Sequence, residues 1–130
     1  MIVVGLTLAF GLWHKASRSR ITAKKATLTP VLTETELGQA FGSRATFVQF
    51  SSAFCSPCRA TKALLTEVTA DLPDVVHVDI DAESHLHLIR RLSINSTPTT
   101  LILNRDGVEV GRAVGAPKRD QVLAALAAIL

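Results

Sequence analysis

The chain has only two cysteines, Cys55 and Cys58, and they are separated by Ser56 and Pro57. A bridge between them would close too short a loop to restrict the unfolded chain much, so it would contribute little as a structural crosslink. A lone Cys-x-x-Cys pair therefore indicates a reversible dithiol. The pair follows the apolar run 45–50 and precedes a predicted helix, which places it at a strand-to-helix junction.

The surrounding sequence disfavours two other uses of this spacing. A structural zinc site needs four ligands, and no second cysteine pair is present. His85 and His87 would point to different sides of a helix, and His77 lies in a strand-like run. Covalent haem attachment needs a histidine directly after the second cysteine, where this chain has Arg59. We therefore expect no metal and no bound cofactor.

The residues after the pair predict that Cys55 is activated by a helix N-terminus. Pro57 suits the first turn of a helix, and residues 59–69 carry an apolar stripe at helical spacing. Unpaired N–H groups and the helix dipole favour a thiolate at Cys55, and such cysteines have a pKa of roughly 3.5 to 7.5 instead of about 8.5. Cys58, one turn deeper, is the expected resolving thiol.

Length and charge limit the classes of function. With 130 residues and 48% hydrophobic content, the chain is long enough for one globular domain with its own core. Five basic residues and no acidic ones precede Glu34, whereas nine basic and eleven acidic residues occupy positions 34–130. The domain is thus slightly acidic and lacks a basic stripe with interleaved aromatic residues. We expect no nucleic-acid partner.

The N-terminal segment 1–13 is predicted to be a membrane anchor. Its apolar run from Ile2 to Trp13 would extend about 18 Å as a helix, against about 30 Å of bilayer hydrocarbon, so it is either a short anchor or the end of a longer spanning helix. Basic residues follow this run, unlike in a secretory signal, and the positive-inside rule then keeps them in the cytoplasm. We expect membrane contact through residues 1–25 at the cytoplasmic face, with the N-terminus outward or embedded. A soluble cytoplasmic protein is the alternative.

The rest of the chain divides into a basic flexible linker, 14–31, and a domain, 32–130. Strand patterns alternate with helix patterns in this domain, which predicts an α/β fold with a central mixed sheet covered by helices on both faces. The predicted elements are a helix from a capping box at Thr33 to about Phe41 that Gly42 ends, strand 45–50, the cysteine helix, strand 75–80, a helix from the cap Ser84 to Leu92, a hairpin of strands 99–103 and 108–114, and helix 117–130.

Six short runs, in this order and spacing, resemble the thioredoxin family over residues 32–130. They are Phe47-Val48-Gln49-Phe50, Cys55-Ser56-Pro57-Cys58, Val78-Asp79-Ile80-Asp81, Thr97-Pro98-Thr99, the turn 104–107 and Val114-Gly115-Ala116. The resemblance implies the thioredoxin fold, with a cis bond before Pro98 that lies against the dithiol. It also implies that Phe54, Thr97 and Pro98 contact substrate, with the backbone of Thr97 offered to an extended polypeptide.

Several positions depart from the family pattern. Phe54 stands where these proteins usually have tryptophan, and Ser56 where they usually have glycine. Gln49 matches the buried aspartate beneath the dithiol, and His77 matches the lysine that partners it. Gln49 cannot act as a base. Two interpretations of this supporting pair stay open: a neutral hydrogen-bonded pair, or a proton acceptor supplied by His77.

The resemblance implies thiol–disulfide exchange through Cys55 and Cys58, with disulfide-containing proteins as substrates and an upstream electron donor such as a thioredoxin reductase. Pro57, and the absence of a histidine between the cysteines, favour reduction of substrates over their oxidation. The alternative is a membrane-tethered binding module with the same fold and little redox turnover. Exchange activity with and without Cys55 distinguishes the two.

Overall fold

The computed structural model describes residues 21–23 and 30–129. Within them, strands and helices alternate along the chain much as the sequence predicts, and most predicted boundaries shift by only a few residues. The elements are β1 (Ile21–Ala23), α1 (Glu34–Leu37), β2 (Ala45–Ser51), α2 (Ser56–Ala70), β3 (Val75–Asp81), the 3₁₀-helix Ala82–Ser84, α3 (Leu86–Arg91), β4 (Thr99–Asn104), β5 (Glu109–Val114) and α4 (Arg119–Ala127).

The strands form one mixed sheet in the order β1-β5-β4-β2-β3, in which only the β2–β3 pair is parallel. Strand β2 lies inside the sheet and is buried on both faces, which explains why most of its residues are apolar. Because successive side chains alternate between faces, Phe47 packs with residues of α2 and α4, while Val48 packs with residues of α3 on the other side. The predicted mixed sheet with helices on both faces is confirmed.

The capping box at the start of α1 is confirmed, but the predicted end of this helix is wrong. The Thr33 hydroxyl accepts the N–H of Glu36, whose carboxylate accepts the N–H of Thr33 in return. The helix ends at Gly38, which adopts a left-handed φ of 74° and donates its N–H back to the last turn. Gly42 instead donates its N–H to a threonine hydroxyl of β2.

The predicted helix cap at Ser84 is also wrong. Ser84 ends the 3₁₀-helix, and its hydroxyl donates to the Asp81 carboxylate at 2.9 Å. The same carboxylate accepts the N–H of Glu83 and so caps this short turn. His85 therefore precedes α3, without a side-chain hydrogen bond to the helix. The Ser84 hydroxyl is bonded to Asp81 and therefore does not cap α3.

Strand β1 lies within residues 14–31, for which we predict a flexible linker. Ile21 to Ala23 instead pair antiparallel with β5, Ile21 opposite Ala113. Three residues are too few to show periodicity, but two of them, Ile21 and Thr22, are β-branched residue types that favour strands. The predicted anchor 1–13 and the remaining linker residues lie outside the described part of the chain, apart from Pro30 and Val31. Among described residues, no helix is long and apolar enough to cross a membrane.

Arg112 of β5 ties the end of α3 to the sheet. Its guanidinium donates to the carbonyls of Leu92 at 2.8 Å and Ser93 at 3.3 Å. Ser93 has a left-handed φ of 56°, where the chain leaves the helix. The same guanidinium pairs with the Glu109 carboxylate at 2.7 Å, and Glu109 is only 1% exposed. The carbonyls of Ile89 and Arg90 inside α3 accept the N–H groups of Ile94 and Ser93, which is a local helix cap. Arg112 therefore supplies hydrogen bonds to the two carbonyls that follow the helix.

Candidate active site

The dithiol lies where β2 passes into α2, at one edge of the sheet. Strand β2 ends at Ser51, the chain turns, and Cys55 becomes the N-cap of α2 with extended backbone (φ −101°, ψ 102°). The Cys55 N–H donates to the carbonyl of Ser52 at 3.4 Å, which closes this turn. Pro57 stands in the first turn of α2, where its missing N–H costs no helical hydrogen bond. Ser56, the first residue of the helix, is exposed.

The two cysteines form a disulfide, with 5.2 Å between their Cα atoms. The Sγ atom of Cys55 accepts the N–H of Cys58 at 3.1 Å, so this sulfur takes the place of a side-chain oxygen as the helix cap. Cys58 is buried, with 3% of its surface exposed, whereas Cys55 is only partly buried. Cys55 is therefore the more solvent-accessible of the two cysteines, and its sulfur accepts a backbone N–H of α2.

The peptide bond between Thr97 and Pro98 is cis, as the family resemblance implies. Strand pairing brings this loop to the dithiol edge, because Phe50, near the end of β2, lies opposite Thr99 at the start of β4. The Pro98 carbonyl accepts the N–H of Gly115 at 2.8 Å. Among the described residues, the N–H and C=O of Thr97 have no hydrogen-bond partner, so this short backbone edge is open to a ligand.

Apolar side chains lie exposed at the same edge. Phe54, next to Cys55, is 97% exposed, and Val114 at the end of β5 is half exposed. Val114 pairs with Thr99, directly after the cis proline. A fully exposed phenylalanine beside a reactive cysteine contributes nothing to the core and is available to contact a partner.

Gln49 and His77 form a hydrogen-bonded pair beneath the first turn of α2. Gln49 is fully buried, and its Nε2 donates to the Cys58 carbonyl at 2.9 Å. Its Oε1 lies 3.0 Å from Nε2 of His77. A carbonyl only accepts, so the amide nitrogen must face Cys58 and the amide oxygen must face the ring. The Nε2 atom of His77 therefore carries a hydrogen, and the ring takes a further proton on Nδ1.

The surroundings of His77 favour the neutral form of its ring. Burial lowers the pKa of His77 below its usual value near 6.5; the Asp79 carboxylate opposes this shift and the Lys62 ammonium adds to it. Asp79 accepts a hydrogen bond from the Ser51 hydroxyl at 2.5 Å and lies 3.5 Å from Nζ of Lys62. These hydrogen bonds link α2 to the edge strand β3 through Gln49 and His77. The geometry favours the first of the two predicted interpretations, which stays a prediction.

The structure also shows a contact that the sequence does not reveal. The hydroxyl of Ser52 lies 3.1 Å from the hydroxyl of Thr97 and shares a hydrogen bond with it. An isolated serine belongs to no motif, and its partner is distant in sequence, so only the fold reveals this contact.

Among the described residues, no cluster of three or more metal-ligating side chains is present. Nδ1 of His85 lies 3.0 Å from the Asp81 carbonyl, far along the chain from the cysteines.

This fold and site define a class of protein: a small α/β domain with a redox-active cysteine pair at a helix N-terminus, beside a cis proline. The chain belongs to the thioredoxin family, since a sequence model of that family matches residues 29–128. It is a thiol–disulfide oxidoreductase with the thioredoxin fold. Members of the family reduce disulfide-containing proteins and accept electrons from thioredoxin reductase.

Individual relatives agree with this assignment. The chain is 29% identical over 96 residues to a thioredoxin of Chlamydia trachomatis, which covers 74% of this chain and 93% of the relative. It is 32% identical over 84 residues to a thioredoxin of Mycolicibacterium smegmatis, covering 62% and 74%. Among solved structures, thioredoxin NaTrxh of Nicotiana alata superposes with a TM-score of 0.60 at 28% identity, covering 67% of this chain and 74% of that one. Thioredoxin f of spinach chloroplasts gives a TM-score of 0.59 at 28% identity, covering 68% and 78%.

Proposed function

We propose that Cys55 is the nucleophile and Cys58 the resolving cysteine of a protein disulfide reductase. The observation that carries this assignment is the unequal placement of the two sulfurs. Cys55 caps α2 and is partly accessible, whereas Cys58 is buried one turn further along the helix. The helix N-terminus stabilises negative charge, so the thiolate forms more readily at Cys55 once the disulfide is reduced.

The exchange proceeds in two steps that conserve electrons. The Cys55 thiolate attacks one sulfur of a substrate disulfide, forms a mixed disulfide and releases the other substrate sulfur as a thiolate. The Cys58 thiolate then attacks Sγ of Cys55, which forms the Cys55–Cys58 disulfide and releases the second substrate thiolate. Two electrons have passed to the substrate. An upstream reductase of the thioredoxin reductase type returns the chain to its dithiol form.

The exposed features beside the cysteines suit an extended polypeptide. The N–H and C=O of Thr97, which have no partner among the described residues, can pair with a substrate strand beside the cis Thr97–Pro98 bond. Phe54, the residue before Cys55, offers an exposed apolar contact. Ser56 and Pro57 support the start of α2, and the Gln49–His77 pair supports its first turn from below.

The two cysteine roles are tested by trapping. Cys58→Ser should accumulate long-lived mixed disulfides through Cys55, and Cys55→Ser should abolish turnover. In the reduced protein, alkylation at pH 6 should label Cys55 faster than Cys58. Faster labelling of Cys58 would reverse the roles. Partner capture that persists unchanged in Cys55→Ser, with negligible turnover of the unsubstituted protein, would instead indicate a binding module.

The proposal includes membrane attachment through the apolar segment 1–13, with the domain on the cytoplasmic face. The support is the charge order after Trp13, which matches the positive-inside rule. The position of strand β1 indicates which edge of the domain would face the membrane. Ile21, the first residue of β1, lies opposite Ala113, close to where β5 ends at the dithiol edge. Only residues 14–20 separate the segment from β1, at most about 25 Å of extended chain. Attachment would therefore hold the dithiol edge close to the bilayer.

Cell fractionation tests the attachment. The full chain should sediment with membranes, and deletion of residues 1–13 should release a soluble protein that still reduces disulfides. An impermeant thiol reagent applied to intact cells should leave Cys55 unlabelled. Labelling of Cys55 would place the domain outside the cytoplasm, and a full chain that stays in the supernatant would leave the alternative of a soluble protein.

A further inference from the structure

One hydrogen bond joins the loop that carries the nucleophile to the loop that carries the cis proline. The Ser52 and Thr97 hydroxyls lie 3.1 Å apart in a partly buried position. The adjacent Ser51 cannot form this contact, because its hydroxyl donates to Asp79 on the edge strand. Ser52 also accepts the N–H of Cys55 on its backbone carbonyl. A single residue therefore contacts both the cysteine and the loop opposite it.

The other hydrogen bonds of the cis-proline loop join it to residues outside the loop before α2 or within the loop itself. The Thr99 hydroxyl donates to the Ser96 carbonyl at 2.7 Å, and Gly115 donates to the Pro98 carbonyl. Neither contact involves the loop before α2. Among the described residues, Ser52 is thus the side chain that links Thr97 to the Cys55 loop by a hydrogen bond.

We propose that Ser52 is a positioning residue that sets the spacing between Cys55 and the open backbone of Thr97, and so favours disulfides carried on extended polypeptides over small disulfides. A polypeptide that pairs with Thr97 must present its sulfur to Cys55 at the same time, so its binding depends on the distance between the two loops. A small disulfide meets Cys55 alone. This inference rests on the proposed roles of Cys55 and Thr97.

The test compares two substrates, insulin and bis(2-hydroxyethyl) disulfide. For Ser52→Ala, kcat/KM toward insulin should fall about fivefold, equivalent to about 1 kcal/mol, mainly through a higher KM. Its kcat/KM toward the small disulfide should fall less than twofold. Ser52→Thr retains a hydroxyl and should recover most of the insulin activity. Ser84→Ala, which removes an exposed hydroxyl bonded to Asp81, is the matched control and should change neither.

Thr97 provides a second route to the same answer. Thr97→Val should reproduce the selective loss, Thr97→Ser should not, and the double variant Ser52→Ala/Thr97→Val should be no worse than either single variant. If Ser52→Ala fails to fold, the comparison of Thr97→Val with Thr97→Ser decides. Equal losses on both substrates, or additive losses in the double variant, would overturn the proposal. Failure of the proposed function would appear differently, as turnover that persists in Cys55→Ser.

Discussion

Replacing Gln49 by leucine tests whether the buried amide stabilises the first turn of α2. Gln49→Leu keeps a similar volume but removes the donor to the Cys58 carbonyl at 2.9 Å and the acceptor for His77 at 3.0 Å. Each neutral hydrogen bond contributes about 0.5–1.5 kcal/mol, and a buried donor left without a partner adds a desolvation cost. We expect a loss of about 2 kcal/mol, a large part of the 5–15 kcal/mol typical of a domain.

The assay is urea unfolding of the oxidised protein, arranged as a double-mutant cycle with His77→Leu. In Gln49→Leu the N–H of His77 has lost its acceptor, so removing the ring as well should cost less than it does in the unsubstituted protein. The coupling should be about 1 kcal/mol. Thr46→Val is the control partner for Gln49→Leu, because the Thr46 hydroxyl accepts the N–H of Gly42 and does not contact the pair. Additivity in both cycles would refute the reasoning.

Three further predictions concern the site and its pH dependence. Because burial lowers the pKa of His77, protonation of this ring favours the unfolded chain, and the free energy of unfolding should decline as the pH falls below about 6.5. His77→Gln should flatten this part of a profile of urea stability against pH. An unchanged slope in His77→Gln would contradict this prediction. Because Nε2 of His77 already carries a hydrogen toward Gln49, the ring cannot take the Cys58 proton through the Gln49 amide. In His77→Gln, the rate at which Cys58 resolves the mixed disulfide, measured by stopped flow, should therefore keep the pH profile of the unsubstituted protein. Loss of an inflection from that profile would restore His77 as the proton acceptor. Phe54→Ala should leave the urea midpoint within the equivalent of about 0.5 kcal/mol but raise KM for insulin severalfold, whereas an unchanged KM would remove Phe54 from the substrate surface.

The parts of the fold that the sequence predicts well depend on local chemistry. The capping box at Thr33, the cysteine pair at the start of α2 and the turn after Asn104 each involve residues within a few positions of one another. In that turn, the Asn104 side chain accepts the N–H groups of Asp106 and Val108, which is the usual behaviour of asparagine at such positions. Short-range hydrogen bonds of this kind leave a recognisable spacing in the sequence.

The parts that the sequence does not predict depend on distant contacts. The hydroxyls of Ser52 and Thr97 meet only because β2 and β4 pair in one register. Strand β1 forms because β5 offers an open edge, not because three residues have a strong preference of their own. Local competition explains the misplaced cap, since Asp81 bonds to Ser84 before α3 begins. Propensity alone cannot rank such competing partners.

The attachment of α3 to Arg112 has a consequence for the order of folding. A helix of six residues is too short to persist alone. The residues that close it, Leu92 and Ser93, are held through their carbonyls by a guanidinium from the second strand of the β4–β5 hairpin. We therefore expect the hairpin to form and dock before the final turn of α3 becomes protected. In pulse-labelling hydrogen exchange, the amides at the end of α3 should gain protection no earlier than those of β5, so the maturation of this helix depends on a strand that is synthesised after it.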